Sequence, residues 1–187
     1  MMRSAPASDA LLVANAGARP TAQTQNDAPA AQMLADDSAA VARAWAQAAW
    51  NQHDLDTAAT FLAPDWVGHY GGLGDAYGLE GFKRVASSFL EAFPDMQITV
   101  EDALAVGDKL VRRVSWTATH QGTFLGVAAT GTQVTVREVI MLRLADGRIA
   151  EEWAMADLLG LLQQLGAVSE FALDGVRAVG EEEEESR

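Results

Sequence analysis

Cysteine is absent from the chain, which excludes disulfides, thiolate nucleophiles and cysteine-based metal or iron–sulfur sites. Histidine is scarce. His53, His69 and His120 lie far apart and form neither an HExxH nor an HxH pair, so no dedicated metal site is expected. Basic residues are outnumbered, 13 Lys and Arg against 26 Asp and Glu, for a formal net charge of -13. A surface of that sign repels phosphate backbones and anionic membranes, so nucleic acid is not an expected partner. No apolar run approaches the roughly 20 residues of a membrane helix, and no membrane partner is expected. The short apolar run at 11–13, with Arg3 as its one basic neighbour, is too brief for a signal-peptide core, so the expected location is cytoplasmic.

What is present suits one domain: 187 residues, 49% of them apolar. Residues 1–36 hold eleven Ala and three of the five Pro and read as a flexible extension. Residues 181–185 are five successive Glu, a self-repelling tail within a C-terminal segment 169–187. The folded domain is therefore expected over 37–168.

Within it the hydrophobic period changes once. Asp37 or Ser38 can cap a first helix running to about residue 52, and Asp54 a second that ends at Pro64. Residues 66–70 read as a short strand, followed by a Gly-rich loop and a third helix over about 79–93 with Phe82, Val85, Phe89 and Phe93 on one face. After Pro94 the period becomes 2, giving strands over 96–106, 109–121, 133–144 and 148–156, with Asp146-Gly147 as a tight hairpin turn. Helices first and strands afterwards predict an α+β domain, a curved antiparallel sheet with three helices on one side. The sheet's other face carries Val139, Met141, Ile149, Trp153 and Met155, which predicts a homodimer.

Successive side chains of a strand point to opposite faces. That alternation puts Arg112, Val114, Trp116 and His120 on one face, with Glu138 and Ile140 from the next strand and Glu152 from the last. The expected result is an apolar concavity holding His120, Glu138, Glu152 and Arg112, the usual form of a small-molecule site. Each residue also has a plainer reading. Glu138 can pair across strands with Arg112 or Arg137, His120 can be a surface residue at a strand end, and Asp157 can cap the last helix. His69 with Tyr70, ahead of the Gly-rich loop, can line a pocket mouth.

Three segments, DLDTAATFLAPDWVGH, FPDMQITVEDALAVGDKLVRRVSWTATHQGTFLGVAATG and ADGRIAEEWAMADLLGLLQQLG, together resemble the SnoaL-like polyketide cyclases, also called ester cyclases, of the nuclear transport factor 2-like superfamily. The resemblance covers about residues 38–168. It implies a cone-shaped α+β fold around a deep apolar pocket, usually dimeric or tetrameric. It also implies intramolecular aldol closure of an apolar polyketide substrate without metal or cofactor, an Asp acting as general acid/base near a His. Counted from the Asp-Gly turn, that Asp position falls on Ala154 and a second pocket His on Ile140, while His120 and Asp157 match residues of the family. The candidate catalytic residues are thus Glu152, Asp157, His120 and Glu138, and the candidate substrate contacts are Trp116, Ile140, His69, Tyr70 and Arg112. Opening of an epoxide by activated water, or carriage of a small ligand without catalysis, are the alternatives on the same scaffold.

Overall fold

Alanine has the highest helix propensity of any residue, and the Ala-rich stretch before Asp37 is helical: α1 spans Ala28–Ala46. Asp37 and Ser38 therefore lie inside a helix instead of capping one, and Pro29 sits in its first turn, where the missing N–H costs nothing. The computed structural model describes residues 28–168, with side chains from residue 37. The N-terminal extension up to residue 27 and the acidic tail lie outside the described residues. A π-helical turn, Gln47–Asn51, ends α1. The one-turn helix α2 (Leu55–Ala59) follows, where the Asp54 carboxylate accepts the Thr57 N–H at 2.9 Å.

Strand β1 (Leu62–His69) begins sooner than expected. Pro64 does not stop a helix; it falls at a register shift between Leu62 and Val67, where no ladder N–H is needed. After β2 (Asp75–Tyr77) come α3 (Gly78–Ala92), β3 (Gln97–Val106), β4 (Lys109–Thr119), β5 (Gln133–Ala145), β6 (Arg148–Ala156) and α4 (Leu158–Gln164). The six strands form one curved, unclosed sheet in the order β2-β1-β6-β5-β4-β3. It is mixed where a wholly antiparallel sheet was expected, since β1 runs parallel to β6. β1 and β6 are separated in sequence by most of the domain.

The β5–β6 turn has Asp146 and Gly147 at φ 50° and 72°, the positive values a two-residue hairpin needs. Just beyond it Ala150 has no partner, because Arg143 pairs with Glu151 but Leu144 with Ile149. This bulge turns Ile149 into the core, fully buried, although simple alternation predicts it on the outer face. The inner face of the sheet, with Val114, Trp116, Val136, Ile140 and Leu142, packs with Trp45 of α1 and Phe82 of α3 in one buried core. Trp66 meets Phe82 edge-on at 5.8 Å and Phe93 meets Trp116 at 5.4 Å. Removing a ring so enclosed costs about 3–5 kcal/mol.

Candidate active site

Three strands present one central row on the inner face: Arg112 of β4 opposite Ile140 of β5, opposite Ala154 of β6. Glu138 stands one row to one side, between Val114 and Ala156, and Glu152 one row to the other, opposite Leu142. The two carboxylates therefore flank the central row from opposite sides. The row itself, where the cyclase resemblance puts an Asp and a His, carries no acid or imidazole.

Both glutamates line an apolar chamber of about 50 Å³ with Trp50, Tyr70, Val85, Phe89, Ile98, Trp116 and Ile140. It adjoins a vestibule of about 330 Å³ that shares Tyr70, Phe89, Glu138 and Ala156 and opens past Leu73, Met155 and Leu159. Together they reach the lower end of the roughly 300–1,000 Å³ typical of small-molecule sites. Trp116, Ile140 and Tyr70 thus stand on the chamber wall as the sequence suggested. Val85 and Phe89 were read as helix core and in fact point one turn of α3 into the chamber. Trp50, carried by the π-helical turn, had no signal in the sequence.

Burial in these apolar walls disfavours a carboxylate and is the largest influence on both acids. Glu138 is pushed up to about 7 despite the opposing pull of Arg112. Glu152 is pushed up to about 8 by burial, with Arg112 and the Tyr70 hydrogen bond opposing and Glu138 adding to the rise. The Tyr70 hydroxyl donates to Glu152 Oε2 at 3.5 Å, and burial followed by the two carboxylates holds its own pKa well above the usual value. Tyr70 reaches that position because Gly68, the register partner of Glu152, has no side chain. A Cβ there would lie 2.4 Å from the Trp66 ring and 2.9 Å from the Tyr70 ring.

Arg112 lies beneath the chamber, 2% exposed. Its Nη1 donates to the Ala42 carbonyl at 3.1 Å and its guanidinium sits 5.0 Å from the Trp45 ring centroid. It forms no ion pair with Glu138 among the described residues, and Arg137 faces outward in the exposed half of the strand, so neither cross-strand pair is present. Its Nε and Nη2 are without a hydrogen-bond partner among the described residues.

The remaining candidates do not line the chamber. His120 is fully buried beyond the end of β4, against Phe93 at 5.2 Å, with Nδ1 at 3.1 Å from the Thr130 hydroxyl. It is neither at the surface nor on the chamber wall, because the chain leaves the sheet at Thr119. Asp157 borders the vestibule, but its Oδ1 accepts the Gly160 N–H at 2.8 Å and caps α4. His69 lies on the other side of the sheet, bridging Asp75 at 3.0 Å and Glu151 at 3.1 Å and stacking on Trp153 at 5.5 Å. Burial opposes its charge, but the two carboxylates outweigh burial and raise its pKa. Among the described residues no three His, Asp or Glu are grouped to hold a metal ion, and no helix is long and apolar enough to cross a membrane.

A curved sheet covered by helices around an apolar chamber is the ketosteroid isomerase-like, nuclear transport factor 2-like fold. A protein of that fold from Catenulispora acidiphila, solved in complex with trimethylamine, superposes with a TM-score of 0.59 at 19% identity, over 68% of this chain and 93% of that one. Residues 40–165 match the SnoaL-like polyketide cyclase family, and the chain belongs to it. IdmH from Streptomyces antibioticus, provisionally named a polyketide cyclase, is 34% identical over 69% of this chain and 98% of its own, with a TM-score of 0.62. AclR from Streptomyces galilaeus, provisionally named a hydroxylase, is 31% identical over 73% of this chain and 85% of its own, with a TM-score of 0.66. No curated protein sequence matches the chain.

Proposed function

We propose that the protein is an acid/base enzyme of the cyclase type, acting without a cofactor on an apolar carbonyl compound of polyketide character. The observation that carries this reading is the pair Glu138 and Glu152 on the wall of an apolar chamber, raised to about 7 and about 8. Acids poised near the working pH are the effective ones, and unequal pKa values divide the roles. Glu138, the lower of the two, takes a proton from a carbon next to the substrate carbonyl. Glu152, still protonated, donates a hydrogen bond to the developing enolate oxygen, and the Tyr70 hydroxyl, which donates to Glu152 Oε2, orients that acid. The enolate carbon then attacks a second carbonyl carbon of the same molecule. One C–C bond forms, and the proton first taken from carbon ends on the new alkoxide oxygen.

The name of IdmH agrees with this reading. Two glutamates on the chamber wall favour chemistry over carriage of a ligand, for which a purely apolar pocket is enough. The test uses a polycyclic 1,3-diketone and counts deuterium taken up from heavy water at its acidic carbon. Wild type should accelerate uptake, and Glu138→Gln and Glu152→Gln should each slow it about 10²–10⁴-fold. Equal uptake in all three proteins would remove the acid/base assignment.

A second reading is hydration, in which water held near a carboxylate attacks an epoxide, with Arg112 and its unpartnered N–H groups polarising the site. Incorporation of labelled oxygen from water into product supports hydration, since aldol closure adds none. The reading also includes a homodimer through the outer sheet face, where Val111, Val139 and Met155 are exposed beside Met141 and Trp153. Light scattering that gives the monomer mass at micromolar concentration would exclude the dimer. A cytoplasmic place in secondary metabolism completes it, checked by cell fractionation.

A further inference from the structure

We propose that Arg112 is a positioning residue whose fixed charge, set between Glu138 and Glu152, keeps the pair in the singly ionised state that the acid/base reading above requires. The geometry has three parts. The Arg112 backbone stands in the central row, with Glu138 one row to one side and Glu152 one row to the other. Its guanidinium donates to the Ala42 carbonyl and rests against the Trp45 ring, away from an ion pair with either acid. No ion pair joins it to either carboxylate among the described residues, so it acts on both through space.

An isolated buried charge is costly, and a guanidinium does not give up its proton. One ionised glutamate balances Arg112; two leave a surplus negative charge, and none leaves a surplus positive one. The chamber wall offers no other charge to balance it, and Arg43 of α1, which shares a small separate pocket with Arg112, carries the same sign. Tyr70 faces Glu152 from beyond β1, Glu138 faces it from β5 and Arg112 from β4. The π-helical turn, α3 and β3 contribute only Trp50, Val85, Phe89 and Ile98. In keeping with this, Arg112 draws both carboxyls downward against burial. Arg112 touches no reacting atom; it acts only by favouring one ionised carboxylate in the pair.

The experiment reads charge directly, without turnover. Glutamate carboxyl carbons are labelled with ¹³C and titrated by NMR in the wild type, Arg112→Met and Arg112→Lys. Arg112→Met should raise the lower of the two buried midpoints by about one pH unit or more, and Arg112→Lys should restore most of it. A folded Arg112→Met protein that titrates like wild type would overturn the proposal. If Arg112→Met does not fold, Arg112→Met/Glu152→Gln is compared with Glu152→Gln alone, since that background removes one buried acid. The Glu138 midpoint should be higher in the double variant, and equal midpoints would overturn the proposal. Loss of deuterium uptake in Glu138→Gln tests the acid/base reading separately, so the two failures are distinguishable.

Discussion

Glu152→Gln should stabilise the protein, and increasingly so as the pH rises. The sign follows from the direction of the shift. Glu152 has a folded pKa of about 8 against an ordinary 4.5, so its contribution to stability is fully present below about 4.5 and is lost as the pH rises through 8. Each unit is worth about 1.4 kcal/mol, so the loss approaches about 5 kcal/mol by pH 9, of which roughly 2 kcal/mol is already lost at pH 6. Against a typical total stability of about 5–15 kcal/mol that is a large fraction. Glutamine keeps the volume of the side chain and an oxygen for the Tyr70 hydroxyl, but it cannot ionise. Urea unfolding of both proteins at pH 6 and pH 9 should show the advantage of the variant growing by roughly 2–3 kcal/mol. An advantage that stays the same at both pH values would refute the reasoning, because the buried carboxyl would then not be what titrates.

Tyr70→Phe removes the hydroxyl that orients Glu152 and should lower deuterium uptake about 10-fold, the worth of about one hydrogen bond, with the fold retained by near-UV circular dichroism. Gly68→Ala places a Cβ 2.4 Å from the Trp66 ring, so thermal unfolding should show a cost of about 1–3 kcal/mol from overpacking. Asp157→Ala should cost about 1 kcal/mol by loss of the α4 cap, whereas Asp157→Asn, an equally good cap, should keep most of the stability.

Strand alternation in the sequence was enough to put Arg112, Trp116, Glu138, Ile140 and Glu152 on one face, because the period of 2 is fixed by backbone geometry. It failed at Ile149, where the unpaired Ala150 shifts the phase, and a bulge leaves no composition signal. It failed for His120 as well, since continuing the strand two residues past Thr119 kept a parity that the turning chain no longer obeys. The start of α1 was hidden because an Ala- and Pro-rich stretch reads as unstructured by composition, while Ala is also the best helix former. Tyr70 was visible only as a neighbour of a Gly-rich loop. Its reach to Glu152 depends on the parallel pairing of β1 with β6, a contact between segments 82 residues apart that no local pattern encodes. The capping role of Asp157 was legible in the sequence, and its Oδ1 accepts the Gly160 N–H.

The pH profile of deuterium uptake by the wild type tests the central claim most directly. Glu138 must be ionised and Glu152 protonated, so the rate should rise through about pH 7, fall above about pH 8, and lose the falling limb in Glu152→Gln. A profile without either limb between pH 6 and 9, or one unchanged in Glu152→Gln, would contradict the account.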